Sequence, residues 1–142
     1  MSDWGTLDYQ VGRATGKTMN ASVDMFYTPH EDNYVQIQSL DFPDKKIFSY
    51  GHDLEYIPGF WGSYILGAFK ALQVDYVLKV VLNAVISGKL PIGGLSSSAA
   101  VTTAYLMAPC DVNQIEVSKM DIRLYSHWVQ TKFNGFKNGI LD

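Results

Sequence analysis

The run Pro91-Ile92-Gly93-Gly94-Leu95-Ser96-Ser97-Ser98-Ala99-Ala100 most narrows what this chain can fold into. Two adjacent glycines permit a sharp turn and a close backbone approach to another molecule, and the serines suit the cap of an alanine-led helix. The first amides of such a helix have no internal partner and lie at the positive end of its dipole. A turn of this kind accepts an anion, and neighbouring hydroxyls can share in holding a metal ion. The same residues also suit an ordinary loop before a capped helix, and both readings stay open on this run alone.

A second glycine-rich stretch, Gly12-Arg13-Ala14-Thr15-Gly16-Lys17-Thr18, fails as a phosphate loop of the common nucleotide hydrolases. That loop needs four residues between its glycines and a buried strand ahead of it; here the spacing is three, and Met1 to Val11 is polar-mixed. With 142 residues, 47% hydrophobic and 18% charged, the chain suits one domain with a sizeable core. A net charge of −3 argues against a nucleic-acid partner and favours a small one. No apolar run approaches a membrane span, the N-terminus lacks the order of a signal peptide, and the single Cys110 excludes a disulfide framework. These features point to a reducing cytoplasm, where the sequon Asn20-Ala21-Ser22 is a chance match. His30, His52 and His127 show no metal-ligand spacing.

Along the chain, Thr18 to Thr28 and Tyr34 to Phe42 read as strands of a hairpin closed by Pro29-His30-Glu31-Asp32-Asn33, with a short strand at Lys46 to Tyr50. Phe60, Tyr64, Ile65, Ala68, Phe69 and Leu72 share one helical face over Phe60 to Leu72, and the valine- and leucine-rich stretch Tyr76 to Ile86 predicts a strand. After the glycine turn, a helix is expected over Ser97 to Met107, ending at Pro109. Another is expected over Ser118 to Phe133, with Ile122, Tyr125, Val129 and Phe133 near helical spacing. The tail Gly135 to Asp142 carries two glycines and an acidic end, and no apolar element after it closes the fold.

Together these motifs resemble the GHMP superfamily of small-molecule kinases, which includes galactokinase, homoserine kinase and mevalonate kinase. Pro91 to Ala100 is similar to its phosphate-binding signature. Gly139-Ile140-Leu141-Asp142 is similar to the galactokinase-branch motif whose aspartate is catalytic. Asn138 to Asp142, with Ala99-Ala100-Val101 and Ala104-Tyr105-Leu106, most resembles galacturonokinase-like sequences. Asp8-Tyr9-Gln10, Gly12 and Thr15-Gly16 are similar to the end of the sugar-binding signature, and Trp61, Tyr64 and Gly67 to a segment that lies against the adenine.

The resemblance implies an α+β, ribosomal protein S5 domain 2-like fold over 1–142, a mixed and largely antiparallel sheet with helices on one face. It covers only the N-terminal half or less of a full member, and the C-terminal lobe is absent. The implied reaction transfers the γ-phosphoryl group of ATP, with Mg2+, to a hydroxyl of galactose or a uronic acid such as galacturonate, at the anomeric position. In that scheme Gly93, Gly94, Leu95, Ser96, Ser97 and Ser98 hold phosphate, and Trp61 and Tyr64 flank the adenine. Asp8, Gly139 and Asp142 meet the sugar, Asp142 as the catalytic carboxylate, while Ser98 and Gln130 stand at the metal positions.

The chain departs from the family pattern in three places: the glycine turn is one residue shorter, Gly5 and Thr6 replace a glutamate and a histidine, and Gln130 replaces the magnesium-binding glutamate. A sugar- and ATP-binding sensor without turnover, or an inactive fragment, are therefore the alternatives to a kinase. Oligomeric state is left open.

Overall fold

The structure is a computed structural model that describes residues 22–43, 45–49, 54–88 and 97–137. Strands β1 (Val23–His30), β2 (Tyr34–Ser39) and β3 (Lys45–Ser49) lead to helix α1 (Ser63–Asp75), and strand β4 (Val81–Gly88) follows. Helix α2 (Ser97–Val112) and helix α3 (Lys119–Trp128) come next, and α3 runs into one π-helical turn, Val129–Phe133.

The sheet order is β1-β4-β2-β3. β4 pairs antiparallel with β1 and parallel with β2, and β2 and β3 form an antiparallel hairpin. The hairpin expected between β1 and β2 does not form; β4 stands between them. The apolar content of β4 accounts for this, because Val81, Leu82, Ala84 and Ile86 are buried, and a strand so apolar is most stable with a neighbour on each side. The turn at residues 31–33 therefore serves as a longer connection, in which Nδ1 of His30 accepts the Asp32 amide.

The helices cover one face of the sheet, as the α+β reading requires. Alternation sends Val35 and Ile37 of β2, Phe48 of β3 and Leu82, Ala84 and Ile86 of β4 into the core. They meet Ile65, Phe69 and Leu72 from α1 and Tyr105 and Leu106 from α2. Phe48 and Phe69 meet edge to face at 5.6 Å, a favourable aromatic geometry. Phe26, Ile47 and Val85 lie on the opposite face and are exposed.

One expectation about a helix end is corrected. Helix α2 does not stop at Pro109 but continues to Val112, with Pro109 inside its last turns. The proline forfeits one amide donor, but its ring is fully buried, and its carbonyl receives the Asn113 amide and Asn113 Nδ2. The helix ends instead in a Schellman pattern: the Ile115 amide donates to the Cys110 carbonyl, and that of Gln114 to Asp111. Gln114 takes the left-handed position at φ 55° where a glycine signal is usual. The helix expected over 118–133 is α3 plus the π turn, started by Ser118, whose hydroxyl accepts the Asp121 amide at 3.1 Å.

Candidate functional site

A cavity of about 340 Å³ lies between the start of α1, the first turns of α2 and the ends of β2 and β4. Trp61, Tyr64, Ser97 and Ser98, four residues singled out in the sequence, all line it. Local structure explains each placement. Gly62 stands at the start of α1 without a side-chain cap, and the Ser63 hydroxyl instead ties back to the amide and carbonyl of Ile57. That knot holds Trp61 at the mouth of the cavity, between Phe60 at 5.4 Å and a stacked Phe42 at 6.3 Å. Tyr64 stacks on Phe136 at 6.3 Å, and Phe136 reaches it because Gly135 turns the chain at φ +74°.

Polar groups also lie close behind the aromatic walls. The Trp61 indole N–H, the Tyr105 hydroxyl and both amide atoms of Asn134 belong to residues lining the cavity, and all are buried without a partner among the described residues. Buried polar atoms left unpaired are costly, but these have almost no surface open to the cavity; the aromatic faces of Trp61, Tyr64 and Phe136 that line it suit a ligand with a flat ring. Burial also pushes the Tyr105 phenol far up, keeping it a neutral hydrogen-bonding group. Phe42, Asn134 and Phe136 carried no signal for this site in the sequence; Tyr105 offered one, unused, since it sits seven residues after Ser98 on the same helical face.

Ser98 and Gln130, far apart in sequence, are in contact: the Ser98 hydroxyl donates to Gln130 Oε1 at 3.2 Å. Gln130 is 3% exposed, and its Nε2 donates to the Ser126 hydroxyl at 3.4 Å. Tyr64 joins the same network; burial and the neighbouring Tyr56 raise its phenol, and a hydrogen bond with Ser98 offsets part of the rise. This network is neutral throughout. Among the described residues no three His, Cys, Asp or Glu side chains gather, and Ser98 and Gln130 supply no anionic oxygen. The pair is in contact but does not fit a protein-held Mg2+, which prefers carboxylate and phosphate oxygens.

Gly67 stands on α1 where a β-carbon would lie 2.6 Å from Val129 Cγ1 and 2.8 Å from Phe133 Cδ1. Its place is explained by helix packing, which brings the π turn carrying Gln130 against α1. Asp8, Gly93, Gly94, Leu95, Ser96, Gly139 and Asp142 lie outside the described residues.

A sequence profile described as the GHMP kinases N terminal domain matches residues 63–142. The chain belongs to the GHMP kinase family. It is 31% identical to a galacturonokinase of Arabidopsis thaliana over an alignment covering 96% of this chain and 37% of that protein. It is 28% identical to a galactokinase of Chloroflexus aggregans, covering 95% of this chain and 35% of the relative. In three dimensions, Lactococcus lactis galactokinase, solved with galactose, superposes with a TM-score of 0.80 at 23% identity, over 87% of this chain and 33% of that one. Methanococcus jannaschii mevalonate kinase follows at 0.70 and 21%, over 84% and 40%. These likenesses establish the GHMP N-terminal fold. The chain spans little more than a third of the curated relatives it matches.

Proposed function

We propose that this chain is the nucleotide- and sugar-binding part of a galactokinase-type kinase, which transfers the γ-phosphoryl group of ATP to a hydroxyl of galactose or of a uronic acid such as galacturonate, at the anomeric position. The observation that carries the reading is the aromatic cavity bordered by Ser97 and Ser98 in the first turn of α2. An adenine fits that chemistry: its ring stacks on Trp61 and Tyr64. The phosphates then fall toward α2, where the amides and hydroxyls of the Gly93 to Ser98 run hold them.

Phosphoryl transfer asks little covalent work of the protein; positioning and charge neutralisation lower the barrier. In this reading Asp142 orients or accepts the proton of the attacking hydroxyl, while Asp8 and the backbone at Gly139 hold the remaining sugar hydroxyls. No step is assigned to a magnesium ion held by Ser98 and Gln130.

One observation favours a second reading, a sensor that binds sugar and ATP without turnover: the neutral Ser98–Gln130 pair at the metal position. ADP release from this chain joined to the C-terminal lobe of a galacturonokinase, assayed with galactose, galacturonate and glucuronate, separates the two. The kinase reading expects turnover with one of them, lost in Asp142→Asn; sugar-dependent ATP binding without turnover would replace it with the sensor.

A further inference from the structure

The described wall of the aromatic cavity offers a ligand ring faces more than hydrogen-bonding edges. Trp61 lies nearly parallel to Phe42, at 13°, and Tyr64 to Phe136, at 22°, and all four rings line the cavity. The polar side chains between them are taken up within the chain. The Ser63 hydroxyl is bound to the amide and carbonyl of Ile57, Ser39 Oγ accepts the Asp41 amide, and Ser98 donates to Gln130. The Trp61 indole N–H, the Tyr105 hydroxyl and the Asn134 amide are enclosed behind the surface.

Backbone donors on the wall follow the same pattern. The amides of Phe60, Ser63, Asn134 and Phe136 each donate to a carbonyl of the chain. Asp41 is the one carboxylate among the described lining residues, and it ties the ends of β2 and β4 together by accepting the Gly88 amide at 2.7 Å and the Ser87 hydroxyl at 3.5 Å. The Tyr56 hydroxyl, also on the wall, can either donate or accept, so it meets an amino or a carbonyl group alike. Ser97 stands beside Ser98, at the end of the cavity given to the phosphates.

Adenine and guanine differ at their edges, where guanine has a carbonyl in place of the adenine amino group and one further amino group. Their faces are alike. Strong discrimination, of about 10⁴-fold or more, comes from polar groups of the site that the wrong ligand leaves unpaired, whereas stacking is open to every base. We propose that the aromatic cavity takes purine nucleoside triphosphates as a class, GTP and ITP as well as ATP, holding the base by its face and not selecting it by its edge. The proposal rests on the reading of this cavity as the nucleotide site.

The test is an NMR titration of the 142-residue chain with ATP, GTP and ITP at constant ionic strength, read at Trp61 and Tyr64, with inorganic tripolyphosphate as the control for phosphates alone. Saturable shifts of both residues are expected with each nucleotide, at dissociation constants within about tenfold of one another, and tripolyphosphate should move neither. Trp61→Ala should weaken ATP and GTP by the same factor, and Tyr56→Phe, which keeps the ring, should leave their ratio unchanged. A gap of more than about tenfold between ATP and GTP, the worth of one hydrogen bond to the base edge, overturns the proposal and leaves the nucleotide site standing. No shift of Trp61 or Tyr64 with any nucleotide overturns both.

Discussion

Gln130 is a buried amide whose oxygen is taken by Ser98 and whose nitrogen is taken by Ser126. Replacing it with glutamate puts a carboxylate where burial favours the protonated form, so its folded pKa lies above the unfolded value of about 4.3. The penalty is absent at acid pH and grows as pH rises. Urea melts of Gln130→Glu should therefore fall progressively below the parent between pH 5 and 8, by about 1–3 kcal/mol, with partial recovery in Mn2+. Tyrosines give a second pH signature. Tyr27 titrates above the ordinary phenol value through its hydrogen bond to Asp111, and Tyr125 through burial and then its 2.5 Å bond to Asp75. Groups that hold their protons more tightly when folded contribute fully below the unfolded value, near pH 10, and lose that contribution as pH climbs through the folded one. Stability should drop above pH 10, and Tyr125→Phe should flatten the slope in alkaline denaturation.

At the level of elements, the site depends on how α1, α2 and the π turn meet. π turns often mark functional positions, and this one carries Gln130 and leads to Asn134 and Phe136. It reaches α1 because Gly67 leaves room for Val129 and Phe133, so Gly67→Ala should cost about 1–3 kcal/mol by overpacking and disturb the Ser98–Gln130 contact. A thermal melt with the Tyr64 NMR resonance as local probe reads both effects. Asn113 fastens the far end: its oxygen accepts the amides of Lys79 and Val80, and its nitrogen donates to the carbonyls of Val80 and Pro109. Asn113→Ala removes this link between β4 and the end of α2, and should cost about 2–3 kcal/mol in denaturant unfolding. Apart from the Asn113–Pro109 bond, these contacts were illegible in the sequence because they join residues far apart. Pro109 even pointed to a different end for α2.

Across the whole molecule, what was legible was local: the strand-forming stretches that became β1 to β4, the apolar face of α1, and the serine run that opens α2. Strand order was not, because pairing is decided by which strand needs burial on both sides, and β4 won the place between β1 and β2. Ser97, Ser98, Trp61 and Tyr64 were readable as candidates, and the fold gathers them around one cavity. The rest of that cavity was hidden, since Phe42, Asn134 and Phe136 reach it only through tertiary structure. The central claim is that this cavity takes the adenine of ATP, and an NMR titration of the chain with ATP tests it most directly. Saturable shifts at the Trp61 indole, Tyr64 and Ser98 are expected, with Trp61→Ala weakening the affinity about tenfold or more, the worth of one stacked ring. Shifts that leave Trp61 and Tyr64 unmoved, or an affinity indifferent to Trp61→Ala, would contradict it.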